Sequence, residues 1–77
     1  MRVRFFGRLR DAIGDEIDVD VPARIADSEA LRQWLALDHP ALLDPGVRIA
    51  LDDRMAVGPA PLSGIKEAAF LPPVSGG

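Results

Sequence analysis

Apolar and polar residues alternate in several short segments of the chain, which is the period of a strand that turns one face to a core. In residues 2–6, Val3 and Phe5 fall on one face, and the alternation sends Phe6 to the other. Residues 16–22 alternate most regularly, with apolar and acidic side chains on opposite faces, as in an antiparallel strand with one wet face. The same period predicts a strand at residues 47–51. Two further strands are predicted, a short one at 54–57 after the Asp52-Asp53 reversal and a last one at 67–71 that is closed by Pro72 and Pro73.

Helical spacing appears in two places. Apolar residues four apart predict one or two helical turns over residues 8–13, stopped by Gly14. The main helix is predicted to begin at Ser28 with Asp27 as its N-cap, and to end before Pro40.

In this order the elements predict an α+β domain, a mixed sheet of about five strands with one main helix packed across it. The first and last strands are expected to lie side by side and parallel, since the helix supplies the crossover between them. The second strand would place Asp18 and Asp20 on the solvent face, opposite the arginines of the first strand. The predicted core contains Val3, Phe5, Ile17, Val19, Val21, Leu31, Leu35, Ile49 and Phe70.

Length and charge narrow the class of protein. With 77 residues the chain has room for a single domain, predicted to span residues 1–77 with an extended tail at 72–77. A net charge of −3 has the wrong sign for nonspecific binding to nucleic acid, which needs a basic surface. No apolar run resembles a signal peptide or a membrane span, so a cytoplasmic location without membrane contact is expected, and the lack of cysteine fits a reducing compartment.

The usual catalytic residue types are scarce. His39 is the only histidine and is interpreted as the end of the helix before Pro40. Asp52 and Asp53 predict a tight turn, because two adjacent carboxylates without further ligands at suitable spacing are a weak metal signal. No metal site and no bound cofactor are expected on this chain.

The last residues are the most informative part of the sequence. Pro72 and Pro73 stiffen the chain as it leaves the last strand, and the four residues after them can reach roughly 13 Å when extended. Gly76 and Gly77 lack Cβ atoms, so they form a thin probe with an unhindered carboxyl carbon. Alternation along the last strand sends Leu71 outward, and an exposed patch with Phe6 is predicted to bind partner proteins.

Three segments carry a resemblance to a known family: Val-Arg-Phe-Phe-Gly at 3–7, Glu-Ala-Leu-Arg at 29–32 and Phe-Leu-Pro-Pro-Val-Ser-Gly-Gly at 70–77. In these segments the chain resembles the small subunits of molybdopterin synthase, which are sulfur carriers of the ubiquitin-like β-grasp superfamily. The resemblance covers essentially the whole chain. A terminal Gly-Gly is shared with thiamine-pathway carriers and ubiquitin-related modifiers, whereas the eight-residue ending is more specific.

The chain departs from the family pattern at two turns. Gly-Ile-Lys at 64–66 precedes Glu67 where the family usually has Gly-Asp, and Asp52 stands where asparagine is common. These departures bear on turn geometry more than on the chemistry of the tail.

The resemblance implies a role and a set of partners. An activating enzyme would use ATP and Mg²⁺ to adenylate the carboxylate of Gly77, and a sulfur donor would convert it to a thiocarboxylate, with Gly76 keeping the approach open. The large synthase subunit, in an expected heterotetramer, would accept the tail and pass sulfur to cyclic pyranopterin monophosphate. The chain would have no turnover of its own, because the acid and base groups would belong to the large subunit. The implied partner-binding residues are Phe6, Leu71, Pro72, Pro73, Val74 and Ser75.

Two other functions remain open on the sequence. The chain could be a ubiquitin-like protein modifier or a carrier for another pathway, such as thiamine synthesis or thiolation, with Gly77 joined to a different acceptor. It could also be an interaction module whose terminal glycines are frayed.

Overall fold

The computed structural model describes residues 1–73 and contains one five-stranded sheet, two α-helices and a short 3₁₀ helix. The elements in chain order are β1 (Arg2–Phe5), α1 (Gly7–Ile13), β2 (Glu16–Asp18), α2 (Ser28–Ala36), the 3₁₀ helix (Pro40–Leu43), β3 (Arg48–Leu51), β4 (Arg54–Met55) and β5 (Glu67–Leu71).

The strand order across the sheet is β2-β1-β5-β3-β4. β1 and β5 are parallel, with Phe5 opposite Phe70, while the other neighbouring strands are antiparallel. The mixed sheet and the parallel pairing of the first and last strands are therefore confirmed. β5 has the predicted bounds, whereas β1 ends one residue early because Phe6 is the extended N-cap of α1.

Both helices have the boundaries that their caps impose. Gly14 ends α1, and its N–H donates to the carbonyl of Arg10 at 2.8 Å. The carboxylate of Asp27 accepts from the N–H of Ala30 at 2.9 Å, which satisfies a first-turn donor of α2. The predicted N-cap and first residue of the main helix are confirmed.

β2 is shorter than the alternation predicts. The strand ends at Asp18, and two further hydrogen bonds join Val19 to Met1. The N–H of Val19 donates to the carbonyl of Met1 at 2.9 Å, and the N-terminal amine of Met1 donates to the carbonyl of Val19 at 2.8 Å. Ile17, Val19 and Val21 are consequently half-buried and pack against the margin of the core, because an edge strand is covered on one side only. The predicted register is correct, since Asp18 is exposed.

The 3₁₀ helix is absent from the sequence-based prediction. α2 ends at Ala36, so His39 does not end that helix as predicted but is the N-cap of the 3₁₀ helix. The fixed φ of Pro40 suits the first turn of this new helix. This turn buries Leu42 completely against the core.

The core lies between α2 and the inner face of the sheet. Six of the nine predicted core residues are buried, and the rings of Phe5 and Phe70 stack at 5.9 Å between centroids across the parallel pair. The buried apolar residues are Val3, Phe5, Leu9, Leu31, Leu35, Ala36, Leu42, Val47, Ile49, Leu51, Leu62, Ala68 and Phe70.

The charges on the outer face pair differently from the prediction. Arg2 is opposite Asp18 in the register, yet its guanidinium contacts Glu16 at 3.2 Å. Arg4 approaches Glu67 on β5 at 4.0 Å. Asp20 takes no part in the ladder, because the strand ends before it. Within residues 1–73, no helix has the length and apolar character needed to cross a membrane.

Candidate functional site

The candidate site is the end of β5, where the chain leaves the sheet. Phe70 is fully buried, whereas Leu71 is half-buried on the outer face, as the alternation predicts. Val74, Ser75, Gly76 and Gly77, which the sequence assigns to the site, lie outside the described residues.

Phe6 lies beside this exit. Its N–H donates to the carbonyl of Phe70 at 3.2 Å, which continues the parallel pairing one step beyond β1. Because Phe5 is opposite Phe70, this step brings Phe6 next to Leu71. The side chain of Phe6 is 36% exposed. The structure thus brings together two residues predicted to bind partners, and we call Phe6 and Leu71 the docking patch.

Two arginines flank the docking patch. The guanidinium of Arg4 lies over the ring of Phe6, 5.1 Å from its centroid. Arg48, which is exposed, is opposite Leu71 in the antiparallel register of β3 and β5. The patch is therefore an apolar surface with two arginines at its margin, and Arg4 also lies 4.0 Å from the carboxylate of Glu67.

Pro72 and Pro73 are half-buried, and each lies against a glycine from another part of the chain. A Cβ placed on Gly7 would be 2.7 Å from Cγ of Pro72, far inside van der Waals contact. A Cβ on Gly46 would overlap Cβ of Pro73 and would lie 3.0 Å from its Cγ and 3.3 Å from its Cα. No local pattern in the sequence around either glycine reveals that a proline far along the chain occupies the space beside it.

The start of α1, which carries Gly7, also approaches the loop that carries Gly46. Arg8, which follows Gly7, and Asp44, two residues before Gly46, form an ion pair at 3.8 Å. Both side chains are more than half exposed, so this contact contributes little to stability, but it shows that the start of α1 and the Gly46 loop lie close together at the end of β5.

Residues considered for other chemistry have structural roles. His39 is half-buried, with its ring 6.3 Å from that of Phe5. Asp52 and Asp53 form the β3–β4 turn, and the Asp52 carboxylate accepts from the N–H groups of Lys66 and Glu67. In the part of the chain that the structure describes, no group of three or more His, Cys, Asp or Glu residues is placed to hold a metal ion.

Comparison with known proteins places these features in a family. The sequence profile of the ThiS family matches residues 3–77. The molybdopterin synthase sulfur carrier subunit of Escherichia coli (strain K12) is 33% identical over 81 residues, covering 100% of this chain and 99% of that protein.

A solved structure supports the fold assignment. The crystal structure of SAMP1 from Haloferax volcanii superposes with a TM-score of 0.71 at 28% identity, covering 99% of this chain and 97% of the other. The sheet order and this likeness confirm the ubiquitin-like β-grasp fold.

Proposed function

Because the chain belongs to the ThiS family, we propose that it is a sulfur carrier and acts as the small subunit of a molybdopterin synthase. The observation that carries the proposal is the likeness to the Escherichia coli carrier subunit, which extends over the whole chain and includes the residues after β5. The geometry at the end of β5 supports it, because the chain leaves the sheet beside the docking patch, in which Phe6 is 36% exposed and Leu71 half-buried.

The chemistry proposed to load Gly77 has two steps. A partner of the ubiquitin-activating type uses ATP and Mg²⁺ to convert the terminal carboxylate to an acyl-adenylate with release of pyrophosphate. A sulfur donor then displaces AMP and leaves a thiocarboxylate, whose sulfur is a soft nucleophile. Gly76 leaves the approach to the reacting carbon open, because it has no Cβ.

The acceptor proposed for the sulfur is cyclic pyranopterin monophosphate, held by a large synthase subunit in a heterotetramer. Two carriers in turn supply the two sulfurs of the dithiolene. The large subunit provides the general acid and base groups, so this chain contributes the sulfur and its delivery and no turnover by itself.

The docking patch is proposed to bind both the large subunit and the activating enzyme. Phe6 and Leu71 come from adjacent strand ends and present apolar surface where the tail begins. Interface anchors are commonly apolar or aromatic side chains at the centre of a polar rim, and Arg4 and Arg48 supply such a rim.

Mass spectrometry of the intact protein tests the proposal. The protein is purified from its host, or incubated with its activating enzyme, ATP and a sulfur donor. We expect the mass gain that corresponds to replacement of one oxygen by sulfur, located by fragmentation at Gly77. A variant with one residue appended after Gly77 should keep its fold and gain no sulfur, and Gly76→Val should gain it slowly. Loaded protein is then mixed with the large subunit and cyclic pyranopterin monophosphate.

The outcomes separate the candidate functions. Formation of molybdopterin supports the proposed role. A thiocarboxylate that is made but never delivered to the pterin indicates a carrier for another pathway. Covalent adducts to lysines of other proteins in cell extract indicate a protein modifier. An appended variant that still makes molybdopterin without being trimmed refutes the role of Gly77.

A further inference from the structure

We propose that Gly7 and Gly46 form a seat for Pro72 and Pro73 that fixes the direction in which the chain leaves β5. We call these two glycines the proline seat. Their effect on sulfur transfer rests on the proposed function, whereas the seat itself is a property of the fold. The two glycines are positioning residues, because they act through the prolines and touch no reacting atom.

The space beside each proline is too small for any other residue. A Cβ at Gly7 would be 2.7 Å from Cγ and 3.5 Å from Cδ of Pro72. A Cβ at Gly46 would overlap the ring of Pro73 and would lie 3.3 Å from its backbone Cα. A proline ring is closed on the backbone and cannot rotate away as a flexible side chain does, so the proline and its backbone would have to shift.

Gly46 shows most clearly that space is the requirement. Gly7 has φ +56°, a left-handed conformation that favours glycine on its own account. Gly46 is not among the described residues with positive φ, so its backbone conformation is open to other residues. Glycine is required at position 46 because a Cβ there would overlap the ring of Pro73.

The remaining described glycines behave in the opposite way. Gly14, Gly58 and Gly64 all have positive φ, and a Cβ on any of them would meet nothing within 4 Å. Among residues 1–73, glycines that are closely packed therefore occur only where the prolines leave the sheet. This contrast provides matched controls for backbone strain without a change at the exit.

The sheet topology places the seat on both sides of the exit. β5 lies between β1 and β3. Because β1 is parallel to β5, its end and the following Gly7 lie beside the end of β5. Because β3 is antiparallel, its start and the preceding Gly46 lie on the other side. The Arg8–Asp44 contact at 3.8 Å joins the start of α1 to the loop before β3.

A fixed Pro72-Pro73 pair sets the course of the chain that follows. Proline fixes its own φ and restricts the residue before it, so neither Leu71 nor Pro72 can readily compensate for a displaced ring. A change of about 15° in direction would move the end of an extended four-residue segment by roughly 3 Å. Misplacement by about 1 Å at a reacting group can cost about 100-fold in rate. On the proposed function, a displaced proline pair should therefore slow the transfer of sulfur.

The geometric test compares Gly46→Ala with Gly58→Ala by NMR on the full chain. Gly46→Ala should shift the resonances of Leu71, Pro72 and Pro73 and change residual dipolar couplings there, with the rest of the sheet unchanged. Gly58→Ala should lower the thermal midpoint through backbone strain and leave the three exit residues as in the native protein. Native resonances at Pro73 in Gly46→Ala would overturn the seat.

A double-variant cycle keeps the test valid if Gly46→Ala is poorly folded. Pro73→Gly removes the ring that the new methyl group would strike, so Gly46→Ala should lower the thermal midpoint less in that background than in the native one. An equal loss in both backgrounds would show that Gly46 is required for another reason and would overturn the proposal.

The functional test separates binding from delivery. Thiocarboxylated Gly46→Ala should slow single-turnover transfer by at least about tenfold, while its Kd for the large subunit rises by a smaller factor, because both side chains of the docking patch are retained. Gly58→Ala should match the native protein in both. A native transfer rate in Gly46→Ala would overturn the positioning role. If the native protein never acquires sulfur, the proposed function fails, whereas the NMR result still decides whether the seat exists.

Discussion

Asp52 is expected to stabilise the domain through its side chain and its backbone, and variants can separate the two contributions. Its Oδ1 accepts from the N–H of Glu67 at 3.0 Å and of Lys66 at 3.2 Å, which fastens the start of β5 to the β3–β4 turn. Its φ is +47°, a conformation that asparagine, aspartate and glycine tolerate better than alanine. Asp52→Asn keeps both properties, Asp52→Gly keeps only the tolerance of positive φ, and Asp52→Ala loses both.

The expected magnitudes follow from these contacts. Each hydrogen bond contributes about 0.5–1.5 kcal/mol net, and the value at this exposed turn should be near the lower end because water can replace the carboxylate. An alanine at this φ adds about 1 kcal/mol of strain. We therefore expect losses in the free energy of unfolding of about 1–2 kcal/mol for Asp52→Gly, about 2–3 for Asp52→Ala and under about 0.5 for Asp52→Asn.

Urea unfolding followed by circular dichroism, with thermal melting in parallel, measures these differences. In a domain of this size 1 kcal/mol corresponds to a shift of about 4–8 °C in the midpoint. Asp53→Ala is the matched control. Asp53 has φ +68° but makes no side-chain hydrogen bond with the described residues, so only the strain should appear.

The ranking of the Asp52 variants by their free energy of unfolding tests the hydrogen-bond argument. If Asp52→Asn is as unstable as Asp52→Ala, the retained Oδ1 does not support the turn and the hydrogen-bond argument is wrong. If Asp52→Gly equals the native protein, the contacts to Lys66 and Glu67 contribute nothing.

Three further changes probe the docking patch and the core. Leu71→Asp should weaken binding to the large subunit at least about tenfold by calorimetry, with little change in the thermal midpoint. The control Val57→Asp, at a residue 92% exposed beyond β4, should leave both the affinity and the thermal midpoint unchanged. A collapsed midpoint in Leu71→Asp would place that side chain in the core. Ser28→Ala should lower the free energy of unfolding by about 1–2 kcal/mol in urea, because it removes a buried hydroxyl that joins α2 to the loop after β4. The control Ser63→Ala, at an exposed residue, should leave the free energy of unfolding unchanged. Equal losses in the two variants would contradict a role for the Ser28 hydroxyl. Leu42→Ala should cost about 2–5 kcal/mol, and a smaller loss would mean that the 3₁₀ helix packs loosely.

The parts of the fold with strong local signals are predictable from the sequence. β5 has the predicted bounds because the proline pair at 72 and 73 closes the strand, and α2 begins where Asp27 offers a cap. In contrast, β2 ends at Asp18, although the alternation continues to Val21. The length of an edge strand depends on its neighbour, and no pattern within the strand reports where that neighbour stops.

The docking patch can be predicted from the sequence, but the proline seat cannot. Period two along β1 and β5 places Phe6 and Leu71 on the outer face, and the parallel pairing makes them neighbours. The seat for the prolines is not predictable in this way. Gly46 contacts Pro73 across 27 residues of sequence, and its turn context explains a glycine without reference to that contact.

The central position of β5 has a consequence for how the domain folds. β5 is the last strand along the chain, yet it lies in the middle of the sheet and bonds to β1 on one side and β3 on the other. Without it, β1–β2 and β3–β4 are two separate antiparallel pairs, and an isolated two-stranded pair is marginal in water. Folding should therefore wait for one late, long-range pairing and then proceed cooperatively. Phe6 and Leu71 become neighbours only at that step. A partner that binds both residues should therefore bind the folded domain and not partly folded chains.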